Sequence, residues 1–432
     1  MYYRFYPHFI TVTIFLGVCI ASHARVQPAS RMILPAPTGT YAVGRTSYAL
    51  TDNARPELLS PTPARRKIMV YVWYPADRNA TSRIKPASYL PNFDKVLPRL
   101  SASELTGIFR PSKFTAIDSL PQTAVFENAP IAPGKQQFPL LLFSHGWGNP
   151  TFLYTAELED IVSHGYIVVA VEHPYDSAYT FFPDGNLILF AQDRFDGEAK
   201  KPHGLNSYAK ERVEVMGDDN KFALTEILNY ARTPSLHAPF YQRVDEGQVG
   251  TFGHSIGGLA AARTCQVDAR VKACMDQDSN DFRGSPFIVT PLDQTERQPF
   301  LLYAVASADL WSPAVVNPSD DDLAAQKMTR PDYMALIQKN QANETSQLAG
   351  IPSGSFRIKL FALPGFIHRS FTDQTLLDFS AASSGDNLHN FQVAQAYTLA
   401  FFDKYLKHDP HTVLDSPAPI DPRAQLDRFP AH

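Results

Sequence analysis

In the stretch "VGTFGHSIGGLAA" one serine, Ser255, stands between Gly253 and Gly257, where a strand-like run passes directly into small, helix-forming residues. A serine hydroxyl is a poor nucleophile at neutral pH and needs an adjacent base to take its proton. A strand-to-helix elbow would lift the hydroxyl above a sheet and aim the Ile256 amide at the oxygen of a reacting carbonyl. The positive end of the helix adds to that field. The plain alternative is a tight βα turn with an incidental serine. The other parts of an acyl-transfer site decide between the two.

A base is expected late in the chain if the order is nucleophile, acid, histidine. "ALPGFIHRSFTD" supplies His368, in a loop opened by Pro364-Gly365 just past an apolar run. An isolated loop histidine is ordinarily a surface residue; its place after the last strand is what singles it out. A second oxyanion donor is expected after the third strand, and "LLLFSHGWGNP" places His145-Gly146-Trp147-Gly148 there. Glycine lets the backbone approach a substrate, which makes the Trp147 amide the donor alongside that of Ile256. His145 precedes the acid in the chain and is read as shaping this loop. Two carboxylates compete for the acid: Asp276 after the sixth strand, and Asp309 in "YAVASADLW" after the seventh. Residue pattern alone leaves both open.

These residues need a frame. Strands are expected at Thr40–Ala49, Lys67–Tyr74, Pro139–Phe143, Tyr166–Val171, Gln248–Phe252, Val271–Met275, Phe300–Val305 and Phe356–Phe361. Helices are expected at Leu153–Ser163, Ser207–Ala231, Ile256–Cys265, Pro331–Leu348 and Asn387–Leu406. Continuous apolar runs such as "PLLLF" and "YIVVAV" suit strands buried on both faces of a parallel sheet. Alternating strands and helices then predict an open α/β architecture: eight strands, mostly parallel, with helices on both faces. Two stretches interrupt the rhythm, about 76–134 and about 311–350, and read as insertions that form pocket walls or mere surface decoration. From about residue 409 the proline-rich tail is expected to pack irregularly or not at all.

The 432 residues carry 39 basic and 43 acidic side chains with no basic block, so nothing in the charge pattern suits nucleic acid. With 44% hydrophobic and 12% aromatic residues the chain can build a full core. Arg4, the uncharged run Phe9–Ala21 and the small residues Ser22 and Ala24 form the pattern of a signal peptide over residues 1–24. The run is short for a membrane span of about 20 residues. An uncleaved anchor or a lipoprotein site at Cys19 are the weaker readings. Residues 25–432 then form one catalytic domain of a secreted or periplasmic protein. Cys265 and Cys274 would remain after cleavage, either bridged or as two packed thiols. No His/Cys/Asp/Glu cluster has the spacing of metal ligands, so neither metal nor cofactor is expected.

Three blocks carry a family resemblance: "FSHGWGNPTFLYTAELEDIVSHGYIVVAVEHPYDSA", "GHSIGG…DARVKACMD" and "HRSFTD". They resemble the secreted platelet-activating-factor acetylhydrolases, also called lipoprotein-associated phospholipase A2, and their bacterial relatives. "GTYAVGRTSYALTD…KIMVYVWYPA" is similar to that family's first hairpin, and the resemblance runs in register from about Tyr41 to Tyr405. It implies the α/β-hydrolase fold and calcium-independent hydrolysis of short or oxidised sn-2 acyl chains of phospholipids. It further implies Ser255 as nucleophile, His368 as base, Asp276 as acid, and the Trp147 and Ile256 amides as oxyanion donors. The partner it implies is a lipid or small-molecule ester, with peripheral contact to lipid surfaces. The chain departs from the family in "QDSNDFRG" after Asp276 and in the length of the second insertion.

Overall fold

The computed structural model describes residues 34–101, 120–201, 204–279, 298–304, 316–325, 328–349, 351–360, 362–377 and 384–429. Residues 1–24, read above as a signal peptide, and Asp309 lie outside the described residues.

The strands, in chain order, are β1 (Ala42–Pro56), β2 (Arg65–Ala76), β3 (Val125–Glu127), β4 (Phe138–Ser144), β5 (Ile167–Glu172), β6 (Tyr179–Phe181), β7 (Leu187–Leu189), β8 (Val244–His254), β9 (Val271–Gln277), β10 (Phe300–Ala304), β11 (Phe356–Lys359) and β12 (Gln425–Arg428). The helices used below are α1 (Thr155–Ser163), α2 (Gln192–Ala199), α3 (Gly204–Arg232), α4 (Ile256–Val267), α5 (Arg330–Ala349) and α6 (Ser384–Leu406). Ten strands form one sheet in the order β12-β11-β10-β9-β8-β4-β5-β2-β1-β3, and β6 and β7 pair separately as a hairpin. Neighbours from β5 to β11 run parallel, while β1/β2, β2/β5 and β11/β12 are antiparallel.

All eight expected strands are present, as β1, β2, β4, β5 and β8 to β11. Among the described residues the sheet has ten strands, because two short edges join it that were not anticipated. β3 comes from the first insertion and pairs parallel with β1. β12 comes from the tail, which pairs antiparallel with β11 through Phe356–Lys359 instead of packing irregularly. Three or four residues with no apolar alternation carry no strand signal; their partners' open edges impose the conformation.

Side chains alternate through the sheet, as strand geometry requires. Leu141 and Phe143 of β4 face one core with Leu158, Ile161, Tyr397, Phe401 and Phe402 of α1 and α6. Leu140 and Leu142 face the other, with Ala223, Leu224, Ile227 and Leu228 of α3. Every residue of β4 is buried, which is why its sequence is continuously apolar. Burying each such Leu or Phe contributes about 1.5–3 kcal/mol. The central parallel strands are thereby a rigid base, and their carboxyl ends carry the site.

The first insertion is more than decoration. Its Tyr89, Leu90, Phe93 and Val96 are buried in the first core. Leu323 and the α5 residues Tyr333 and Ile337, from the second insertion, form a small cluster of their own. Cys265 on α4 and Cys274 on β9 have Cα atoms 6.3 Å apart and are joined as a disulfide. That bond ties the helix behind Ser255 to the strand leading to Asp276. Among the described residues no helix is long and apolar enough to cross a membrane.

Candidate active site

β8 ends at His254 and α4 begins at Ile256, so Ser255 alone makes the turn. Its backbone sits at φ 57°, ψ −128°, a region that costs a non-glycine residue about 1–3 kcal/mol. The Ser255 hydroxyl does not cap α4. Its amide donates instead to Gln277 O at 3.0 Å, fixing the elbow against the end of β9. Glycines permit the close approach: a Cβ on Gly257 would overlap the carbonyls of Ser144 and His145, and one on Gly253 would overlap the Gly257 backbone. The elbow is therefore wedged against the end of β4 and the loop that follows it.

That loop is "HGWG". Gly146 N donates to Tyr154 Oη at 3.0 Å, Gly148 N to Asp176 O at 2.8 Å, and Asn149 N to Gly146 O at 3.1 Å. These bonds set the loop's shape on either side of the Trp147 amide. Trp147 packs against the cluster of Ile256, Leu259, Val213 and Met216, which puts the two expected oxyanion residues side by side. Its indole stacks on Tyr208 with centroids 5.6 Å apart and meets the Phe195 edge at 5.2 Å. The indole Nε1 donates to Asp176 Oδ1 at 3.1 Å, and the same carboxylate takes Arg212 Nε at 2.9 Å and Nη2 at 2.7 Å. Sequence reading missed this fully buried pair, because nothing in a single Asp or a mid-helix Arg announces it. His145 is buried, and its Nε2 accepts the His173 amide at 3.1 Å. Its proton then sits on Nδ1 and goes to Gly146 O at 2.9 Å. Burial pushes its pKa below the ordinary histidine value. Both nitrogens serve the backbone, as a loop-shaping residue requires.

His368 opens a short 3-10 turn, His368–Phe371, closed by Ser370 N on Ile367 O at 2.7 Å and Ile367 N on Ser370 Oγ at 2.9 Å. Asp373 just beyond anchors the loop: its carboxylate takes the Thr155 and Ala156 amides at 3.0 and 3.1 Å and the Tyr89 hydroxyl at 2.8 Å. The His368 ring lies 4.4 Å from that of His254, the residue before Ser255. Nδ1 of His368 is 2.7 Å from Asp278 Oδ2. With that nitrogen donating to a carboxylate, Nε2 is left to accept a proton.

The carboxylate on His368 Nδ1 is thus that of Asp278, where Asp276 was expected, and that expectation is corrected. Asp276 is in register with Gly253 inside β9 and points at the elbow, where a Cβ on Gly258 would overlap its Oδ1. It accepts the Ser279 amide at 3.0 Å and the Ser279 hydroxyl, and so pins the turn after the strand. Asp278 lies in that turn at φ 59°, off the strand's alternation, and faces His368. Burial pushes the Asp276 carboxyl up to about 7 against the two Ser279 bonds, with the Asp278 charge adding to the rise.

The chain is similar in sequence and fold to known proteins. The profile of the family described as platelet-activating factor acetylhydrolase, isoform II, matches residues 27–188. A probable 1-alkyl-2-acetylglycerophosphocholine esterase of Arthroderma benhamiae is 26% identical over 255 residues, 58% of this chain and 59% of that protein. The platelet-activating factor acetylhydrolase of Cavia porcellus is 22% identical over 420 residues, covering 90% of this chain and 82% of the relative. The chain is similar to the platelet-activating factor acetylhydrolases. The match spans about three fifths of the fungal relative's length and most of the guinea-pig one. A ferulic acid esterase from Streptomyces cinnamoneus has the same fold, with TM-score 0.64, 22% identity, and coverage of 91% of this chain and 99% of that one. The profile match spans the oxyanion loop and β5, whereas Ser255, Asp278 and His368 all lie beyond it.

Proposed function

We propose that this platelet-activating factor acetylhydrolase relative is a serine carboxylic ester hydrolase acting on phospholipids with short or oxidised sn-2 acyl chains. The observation that carries the reading is the His368–Asp278 pair at 2.7 Å, set beside a strained serine elbow. Ser255 Oγ attacks the ester carbonyl and its proton passes to His368 Nε2. Asp278 holds the imidazole in the tautomer that can accept it and stabilises the cation. The Trp147 and Ile256 amides take the oxyanion. Collapse expels the alcohol, which receives the proton from His368. A water molecule then gives a proton to His368 and attacks the acyl-enzyme carbonyl; the bond to Ser255 Oγ breaks, His368 returns the proton to that oxygen, and the carboxylic acid leaves.

The substrate class rests on the relatives' names. A p-nitrophenyl ester chain-length series, run beside an sn-2-acetyl phospholipid with and without chelator, tests it. Preferential turnover of the acetyl phospholipid, unchanged by chelator, supports the reading; turnover confined to other esters removes it. A second reading, an aryl or other bulky ester, is favoured by the aromatic wall of Trp147, Tyr208 and Phe195 beside the oxyanion loop. Export completes the proposal: cleavage after Ala24 would leave Arg25 as the mature N-terminus in a secreted or periplasmic enzyme. N-terminal sequencing of the extracytoplasmic fraction checks this, and recovery of the intact Met1 chain in washed membranes would contradict it.

A further inference from the structure

A single chain of hydrogen bonds crosses the three loops of the site. Gly146 N and Asn149 Nδ2, from the oxyanion loop, donate to Tyr154 Oη at 3.0 and 3.2 Å. Tyr154 Oη lies 2.9 Å from His254 Nδ1, and His254 Nε2 lies 2.8 Å from the carbonyl of His368. His368 in turn reaches Asp278. Tyr154 and His254 are almost fully buried, at 0% and 1% exposure, so water does not compete for these bonds.

The protons along this chain are determined by the groups at its ends. A carbonyl oxygen can only accept, so His254 carries its proton on Nε2. Tyr154 Oη already takes two donors, so its own proton goes to the bare Nδ1 of His254. A second proton on His254 would set an N–H against a hydroxyl whose acceptor sites are in use. In keeping with this, burial, with His368 close by, pushes the protonation of His254 well below the ordinary histidine range. The ring is neutral in one tautomer, and it rigidly spans the gap between the two loops.

We infer that His254 is a positioning residue: it couples the oxyanion loop, through Tyr154, to the backbone of His368 and thereby sets the catalytic imidazole over Ser255. The inference rests on the ester hydrolase reading above. A histidine is suited to the task because its two nitrogens bond in opposite directions across a flat, rotamer-limited ring. His254 touches no substrate in this role. Its contribution is to kcat through the placement of His368, with substrate binding left as it was.

Two replacements at one position separate the two halves of the bridge. In His254→Gln the amide nitrogen can stand in for Nε2 and keep the bond to the His368 carbonyl. In His254→Phe a ring of similar size fills the space with neither bond. With p-nitrophenyl acetate and thermal unfolding measured in parallel, His254→Phe is expected to lose about 10²-fold in kcat, the scale of a misplaced catalytic group. KM should stay within about three-fold, because ground-state binding is not what the bridge supplies. His254→Gln should recover at least about ten-fold of that loss. Tyr154→Phe, which removes one hydroxyl and keeps the ring, should lose kcat in the same direction with KM unchanged, and it carries the test if both His254 variants fail to fold. A folded His254→Phe protein with wild-type kcat, or a Gln variant no better than Phe, overturns the inference. Inert wild-type protein would overturn the hydrolase reading instead, so the two failures are distinguishable.

Discussion

Asp278 Oδ2 lies 2.7 Å from His368 Nδ1, while Asp276, two residues earlier, spends its carboxylate on Ser279. The two acids have separate tasks. One faces the base, and the other holds the turn that brings the first into place. Asp278→Asn should therefore cut kcat by orders of magnitude with KM little changed; about 10⁴-fold is the scale known for the equivalent change in another serine hydrolase. Asp276→Asn should keep far more of the activity, since an amide can still accept from Ser279. Steady-state kinetics on both variants decide the matter, and the reverse ranking would return the acid to Asp276.

The buried pair Arg212–Asp176 holds the oxyanion loop by the Trp147 indole and the Gly148 amide. Removing one partner strands a charge in the interior, which typically costs about 3–5 kcal/mol. Arg212→Leu should accordingly lower Tm sharply and reduce kcat. Replacing both partners with leucine should restore much of the stability but not kcat, because the anchor for Trp147 is gone. Thermal unfolding and kinetics on the single and double variants check this. Recovery of both together would show that Asp176 does not position the loop.

The places of Ser255, His368 and the Trp147 loop were legible because each follows a strand of the parallel sheet, marked by the glycines around Ser255, by Pro364-Gly365 before His368 and by the apolar run before Trp147. Strand β4 reads "FPLLLFS" and β5 "IVVAVE", and the glycines around Ser255 mark a backbone that must pass close to its neighbours. The carboxylate that reaches His368 was not legible. Choosing between Asp276 and Asp278 requires knowing that the residue at 278 leaves the strand with a left-handed φ, and "MDQDS" carries no glycine to signal it. Strands β3 and β12 were hidden for a different reason: they are short and their conformation comes from the edge they join. Neither the Tyr154–His254 bond nor the Arg212–Asp176 pair has any local signal. Their partners are far apart in the chain, and only the fold brings them together.

The buried carboxyls Glu157 and Asp276 each make a contribution to stability whose pH dependence has a definite sign. Burial pushes Glu157, whose Oε1 accepts from Gln277, up to about 8, and Asp276 up to about 7. Both values lie above those of the unfolded chain, so the folded state binds the extra protons. These groups stabilise the fold fully below about pH 4, and that stabilisation is lost as pH rises toward 7 and 8. In denaturant unfolding at several pH values, the stability of the wild type relative to Glu157→Gln should fall as pH rises across this window. A variant with the same slope as the wild type would show that Glu157 is ionised in the folded protein.

The most direct measurement is covalent labelling of the nucleophile. The protein is treated with a fluorophosphonate, digested and mapped by mass spectrometry, beside the Ser255→Ala variant assayed on p-nitrophenyl acetate. One adduct on Ser255, loss of ester turnover in step with labelling, and a folded Ser255→Ala protein slower by about 10⁴- to 10⁶-fold are predicted. Turnover retained by folded Ser255→Ala, or an adduct on a different residue, would contradict the assignment of Ser255 as the nucleophile.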